Sequence, residues 1–281
     1  MSEDDHRIDL WRNTIQLFHQ SNRSHFIGPF KAAGFNKYIG EPYFISSESG
    51  NPLTPDIVAS SDDGWLVLEL TTRPGSKESQ LESYKSIDPQ DLKNYGLHEN
   101  FGNPDVIISR LSFIPDGPYC KISVKDHLEI QNEEYINNPL LKEELMKSNG
   151  ADLRRLPSIP ITLLPEMKPQ EIRKGLISLV MQIFEPGSEG KTLVQLVDGG
   201  LERLQVRPAA RSQLIDKVKT EMTVLIKDFL SEYLIFENNH YNATDKFKYH
   251  YATLSHITQE LNKWAGITPQ QTLDVEYENE E

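Results

Sequence analysis

Residues 55–77, PDIVASSDDGWLVLELTTRPGSK, put one carboxylate directly after a proline and a second inside an apolar run. The turn-rich SDDG at 61–64 separates PLTPDIVAS from WLVLEL, and this pattern predicts a β-hairpin or two adjacent strands. Side chains alternate along a strand, so Trp65, Val67, Glu69 and Thr71 fall on one face and Leu66, Leu68 and Leu70 on the other. A carboxylate on so apolar a strand is costly to bury without a cation or strong donors. The plainer possibility is an edge or solvated strand on which Glu69 is simply exposed.

Working outward, Ile8, Trp11, Ile15 and Phe18 recur at helical spacing and predict a first helix over 6–21. The segment FIGPFKAAGFNKYIGEPYF leads into extended structure. SKESQLESYKSIDPQDLKNYG predicts a helix with Ser76 as N-cap, lacking a full capping box because Ser79 stands where an acid or amide is wanted, and kinked or ended by Pro89. PDVIISRLSFI and YCKISVK supply two more strands. Helix, strands, helix, strands is the order of an α/β or α+β domain with a mixed central sheet. Beyond about Asn137, three helical patterns follow: PQEIRKGLISLVMQIF, AARSQLIDKVKTEMTVLIKDFLSEYLIF and KYHYATLSHITQELNKWA. The expected division is therefore a first domain over 1–136, a helical domain over 137–272 and a disordered acidic tail over 273–281.

Hydrophobic residues are 37% of the chain and charged residues 25%, which places it among soluble globular proteins. No apolar run approaches the roughly 18–20 residues that span a bilayer, and MSEDDHRIDLW lacks the plan of a signal peptide. A cytoplasmic protein with no membrane partner is expected. The single cysteine, Cys120, excludes a disulfide framework and a cysteine-rich zinc site. A net charge of −13 is the wrong sign for a protein that coats nucleic acid, though not for one whose carboxylates await a cation. A locally basic segment holds Arg203, Arg207, Arg211, Lys217 and Lys219; it suits a nucleic-acid path or a solvated face paired with acids. EPGSEGKT lacks the glycine spacing and preceding strand of a phosphate loop.

Two carboxylates on neighbouring strands can converge on one Mg²⁺ or Mn²⁺, ions that favour oxygen ligands and leave room for water and phosphate oxygens. Such an ion activates water and offsets charge on the phosphate, and a nearby lysine assists. Asp56 and Glu69 have the required type and spacing. Through TPDIVASSDDGWLVLELTTRPG the chain resembles the PD-(D/E)xK nuclease superfamily. It is most similar to the cap-snatching endonuclease domain of the large polymerase proteins of segmented negative-strand RNA viruses, the phlebovirus-like branch in particular. The resemblance implies a PD-(D/E)xK-like mixed sheet flanked by helices. In that branch a threonine stands two after the glutamate, as Thr71 does here, and the catalytic lysine lies on the following helix.

What the resemblance implies about residues follows the same alignment. Asp56 and Glu69 match the metal carboxylates and the carbonyl of Leu70 the backbone ligand. Lys85 is the first choice for the catalytic lysine, with Lys77 and Lys93 as alternatives, Lys77 and Thr71 also being placed beside substrate. Gln80 and Tyr84, four apart on a helix, form a QxxxY pair that can lie beside the substrate backbone or merely share a helix surface. A histidine ligand would bias the site toward Mn²⁺; His19 is preferred for its helical setting, His25 being the alternative. Glu41 offers an extra carboxylate or a solvated strand end.

The expected function is a divalent-metal-dependent endonuclease acting on phosphodiester bonds, with Mn²⁺ or Mg²⁺ as cofactor and nucleic acid as partner, RNA ahead of DNA. The rest of a viral polymerase or a defence complex would be its context, in host cytoplasm if viral. Two alternatives stand beside it: a restriction-like or defence DNA nuclease, and a nuclease fold that no longer cleaves and serves as a binding or scaffold module.

Overall fold

The computed structural model describes residues 3–20, 26–72, 78–99, 102–111, 117–155, 161–202 and 204–267. The chain divides into two compact units, residues 1–160 with 203–208, and 161–202 with 209–281. In the first unit the elements run α1 (Glu3–Gln16), α2 (Pro29–Ala32), β1 (Lys37–Gly40), β2 (Phe44–Ile45), β3 (Pro52–Leu53), β4 (Ile57–Ser60), β5 (Trp65–Leu70), α3 (Glu78–Ser83), β6 (Asp105–Arg110), β7 (Cys120–Val124), β8 (Leu128–Gln131) and α4 (Pro139–Ser148). The fold is mixed α/β, with a six-stranded sheet in the order β1-β4-β5-β6-β7-β8 and helices on its faces.

The SDDG turn does what its composition predicts. Ser61 N donates to the Gly64 carbonyl at 2.8 Å, and the Ser61 hydroxyl accepts from Asp63 N at 3.3 Å, a side-chain turn that folds β5 back antiparallel onto β4. β5 then pairs parallel with β6, and β6 with β7, while β8 returns antiparallel. All six residues of β5 are buried, because this central strand is covered on both faces. On one face lies α1, whose Leu10, Trp11 and Ile15 are buried and whose Thr14 hydroxyl meets that of Ser109 at 2.7 Å. On the other, Leu81, Tyr84, Ile87 and Leu92 pack with Val58, Trp65, Val67 and Val106.

The first helix ends at Gln16 and not near 21. Leu17, Phe18 and His19 each donate three residues back, which tightens the last turn and swings the chain into a bridge between Gln20 and Ile27. The helix expected from Ser76 breaks into α3, a 3₁₀ turn at Tyr84–Ser86 and a longer 3₁₀ segment at Pro89–Tyr95. Asp88 caps that segment by accepting from Gln90 N at 2.9 Å, and Pro89 ends what precedes it, since proline disfavours helical backbone at the residue before it. Ser76 lies outside the described residues. The strand β8 was not expected.

The first unit also runs past the boundary expected at 137. Backbone N–H groups of Asn137 and Asn138 donate to the buried Asp105 carboxylate at 2.7 and 3.1 Å, and α4 packs on α2 and β8. Leu128 and Gly150–Ala151 exchange backbone bonds. These ties fasten residues 137–155 to the sheet.

The second unit holds α5 (Pro169–Met181), α6 (Leu193–Leu201), α7 (Pro208–Val224, of which Pro208 belongs to the first unit), β9 (Leu234–Glu237), β10 (His240–Ala243) and α8 (Tyr251–Trp264). It is not all helical. The helix expected to run to Phe236 leaves α-geometry in a π turn at Leu225–Phe229, and β9 and β10 form a hairpin. Asn238 and Asn239, at φ 50° and 65°, supply the left-handed pair that a two-residue hairpin turn requires. Thr192, within EPGSEGKT, serves as the N-cap of α6 in a capping box with Gln195, at 3.1 and 2.7 Å. In the basic segment Arg211 forks onto Asp198 at 3.1 and 2.7 Å, and Lys217 donates to the carbonyls of Pro165 and Met167. Arg207, in the first unit, lies over the Tyr43 ring at 5.7 Å. Arg203 and the acidic tail fall outside the described residues.

Cys120 is fully buried in β7, and burial, with a smaller contribution from the Asp105 charge, pushes its thiol up to about 12. The thiolate is the reactive form. Native protein should therefore show no titratable thiol with a chromogenic disulfide reagent at pH 8, and one equivalent should appear only as denaturant unfolds the chain.

Candidate active site

Strand register brings the acidic residues into one row. The β4–β5 pairing of Ile57 with Leu68 sets Asp56 opposite Glu69, and the β1–β4 pairing of Gly40 with Ile57 sets Glu41 opposite Asp56. Glu41 N accordingly donates to the Asp56 carbonyl at 2.7 Å, with Glu41 at φ 50° where β1 ends.

At the end of β5 the ladder to β4 has run out, and side chains replace it. Leu70 N donates to Asp56 Oδ2 at 2.6 Å. Arg7, reaching from α1, donates through Nη2 to Asp56 Oδ1 at 2.7 Å and through Nη1 to the Leu70 carbonyl. Asp56, Leu70 and Arg7 thus close a ring of charge-assisted bonds. The Arg7 and Asp56 side chains are 28% and 14% exposed, so the pair is shielded from water more than a surface ion pair.

Glu69 is 3% exposed, which removes the possibility of a solvated strand face. Its cost of burial is met by donors. The Tyr84 hydroxyl donates to Oε2 at 2.7 Å and Gln80 Nε2 approaches Oε1 at 3.4 Å, while Gln80 Nε2 also donates to the Tyr84 hydroxyl at 2.6 Å. The QxxxY pair is therefore a clamp on the glutamate, built by α3 and the 3₁₀ turn that follows it. Burial raises the Tyr84 phenol far above its ordinary value, the Glu69 charge adds to this, and the Asp56 charge adds less. The phenol stays a proton donor at every working pH, within electrostatic reach of both carboxylates.

Other expected site residues are placed elsewhere. Lys85 bonds the Glu82 carboxylate at 2.9 Å, with its side chain 41% exposed. It lines a pocket of about 220 Å³ with Tyr119 and Tyr135 among others. In a 3₁₀ turn neighbours point about 120° apart, so with Tyr84 on Glu69 the adjacent Lys85 is directed away. Lys93 faces Glu99 at 3.9 Å. His19 lies beyond the end of α1, with Nε2 3.0 Å from the Tyr38 hydroxyl. Among the described residues no three of His, Cys, Asp and Glu are gathered to hold one ion. Thr71 continues the β5–β6 ladder, donating to the Ser109 carbonyl at 3.1 Å and accepting from Arg110 Nε at 3.3 Å. Lys77 and His25 lie outside the described residues.

Two residues escaped the sequence reading. Arg7 is 49 positions from Asp56, and no local pattern announces the contact. Lys121 is 3% exposed on β7, and the register from Glu69 to Ile108 to Lys121 puts it two strands away in the same row, on the same face. Two strand spacings set their backbones roughly 10 Å apart. The available signal was YCKISVK itself, a lysine alternating into the face of an apolar strand.

The Asp56 carboxylate and the Leu70 carbonyl are oxygen acceptors of the kind a hard cation takes, and here one guanidinium bridges them. No protein-family model matches the chain, and neither does any curated protein or solved structure.

Removing the Tyr84 hydroxyl leaves a buried carboxylate short of a donor. Tyr84→Phe should lose about 1.5–3 kcal/mol of stability, measured as a lower urea midpoint with an unchanged slope, and Gln80→Ala should lose less.

Proposed function

We propose that the chain is a divalent-metal-dependent nuclease of the PD-(D/E)xK kind, acting on RNA in preference to DNA. The observation that carries this is the convergence of the Asp56 carboxylate and the Leu70 carbonyl on a single cationic group, with the buried Glu69 carboxylate in the adjacent row position. Bound there, Mg²⁺ or Mn²⁺ would supply an activated water and charge stabilisation for the phosphodiester. Asp56 and Leu70 would hold the ion, with Glu69 completing the oxygen set. Tyr84 and Gln80 fix the Glu69 carboxylate, so its orientation is set before any ligand arrives. The choice of RNA rests on the resemblance of the 55–75 stretch, as does a place within a larger polymerase or defence assembly.

The lysine that assists is assigned to Lys121, ahead of Lys85, because Lys121 shares the face and row of Glu69 whereas Lys85 pairs with Glu82. A second reading, a nuclease fold serving as a scaffold, is favoured by one feature: protein donors already engage both carboxylates, an arginine on Asp56 and a tyrosine hydroxyl on Glu69.

Ligands that bind only the folded state raise its stability by about 2.7 kcal/mol at a hundred times Kd. Millimolar Mn²⁺ or Mg²⁺ should therefore raise Tm, Asp56→Ala and Glu69→Ala should each abolish the rise, and labelled single-stranded RNA should be cut faster than DNA. A protein without metal response or cleavage would be the scaffold. Lys121→Met should keep the metal-induced rise in Tm and lose cleavage by about 10²-fold or more; Lys85→Met should lose little, and the reverse ranking would return the role to Lys85.

A further inference from the structure

The Arg7 guanidinium sits on the two oxygens that the metal reading assigns to the ion: Asp56 Oδ1 at 2.7 Å through Nη2, and the Leu70 carbonyl through Nη1. Asp56 Oδ2 is engaged as well, by Leu70 N at 2.6 Å. The guanidinium fork fills the space between these two oxygens, where an ion shared by both would sit, and a divalent cation entering beside it would meet its positive charge. We infer that Arg7 is the resident cation of this site, and that a divalent metal binds by exchange with it, α1 acting as the carrier of a counter-ion that must withdraw. This rests on the metal-nuclease reading and adds its regulation.

Arginine suits the role. Its charge does not titrate away, its planar fork spans two acceptors at once, and it is weakly hydrated enough to sit at a half-buried carboxylate. The carboxylate and the carbonyl are thereby kept satisfied while no ion is present, where leaving them bare would be costly. Arg7 lies early in α1, whose firmer anchors are further along: Leu10, Trp11 and Ile15 in the core, Thr14 on Ser109 and Asn13 on the Val124 carbonyl at 2.6 Å. Withdrawal therefore requires only a change of the Arg7 side chain, with the helix held in place. The exchange also predicts a threshold, because apparent affinity falls by the fraction of molecules whose site is open.

The experiment titrates Mn²⁺ into wild-type protein, Arg7→Ala and Arg7→Lys, reading affinity by calorimetry and by loss of the free-ion electron paramagnetic resonance signal. Arg7→Ala should bind Mn²⁺ about tenfold tighter or more, as expected if the wild-type site is open in one molecule in ten or fewer, and without metal its Tm should fall. Arg7→Lys keeps a charge but cannot fork onto two oxygens, so its affinity should lie between the two, and it serves as the test if the alanine variant does not fold. Equal affinity in every variant that folds would overturn the exchange and leave the metal reading standing. Absence of Mn²⁺ binding from all of them would overturn both, making Arg7 a permanent ion partner.

Discussion

A carboxylate on the central strand of an apolar sheet must be compensated, and much of the first unit around β5 is arranged to do so. Glu69 is almost wholly buried, and Asp56 largely so. Each is answered from a different layer: Tyr84 and Gln80 come from the helix on one face, Arg7 from the helix on the other. Without those donors β5 would carry unpaired charge in its core, which costs several kcal/mol per group. A polar cluster this well satisfied also fixes how α1 and α3 sit on the sheet, because each must deliver a particular atom to a particular oxygen.

The same compensation shapes the chemistry. In an acidic chain of net charge −13, the cationic groups at this end of the sheet are few and specific. Arg7 bridges an Asp56 oxygen and the Leu70 carbonyl, Lys121 is buried in the row of Glu69, and Arg110 is buried beside Thr71. In the basic segment of the sequence, Arg211 makes an ion pair with Asp198, Lys217 bonds the carbonyls of Pro165 and Met167, and Arg207 stacks over Tyr43. Charge counted along the chain is thus a poor guide to charge at the site, where a few desolvated groups act over short distances.

Legibility followed the range of the interaction. The β4–β5 hairpin, the burial of Trp11 and Ile15, the placing of Glu69 on a strand and the pairing of Gln80 with Tyr84 all rest on contacts within a turn or a strand period. Where the sequence was misread, a local signal was outweighed or passed over. Asn238–Asn239 announced a hairpin turn just past Phe236, in a segment read only as a polar link between two helical patterns. Thr192 and Gln195 formed a capping box in a segment examined only as a phosphate loop. Lys85 follows Tyr84 in a tight turn that presents neighbours in different directions: Tyr84 holds the inward one and Lys85 pairs with Glu82.

The sequence by itself determined that residues 55–70 make two adjacent strands, each bringing one carboxylate, since alternation and turn chemistry are properties of neighbouring residues; that Asp56 and Glu69 face each other came from the register. Only the tertiary structure decided which groups answer those carboxylates. Arg7 and Asp56 meet because α1 crosses the sheet, and Glu69 and Lys121 share a row because β6 inserts between β5 and β7. Such contacts depend on how elements pack across the fold, and no period in the chain encodes them.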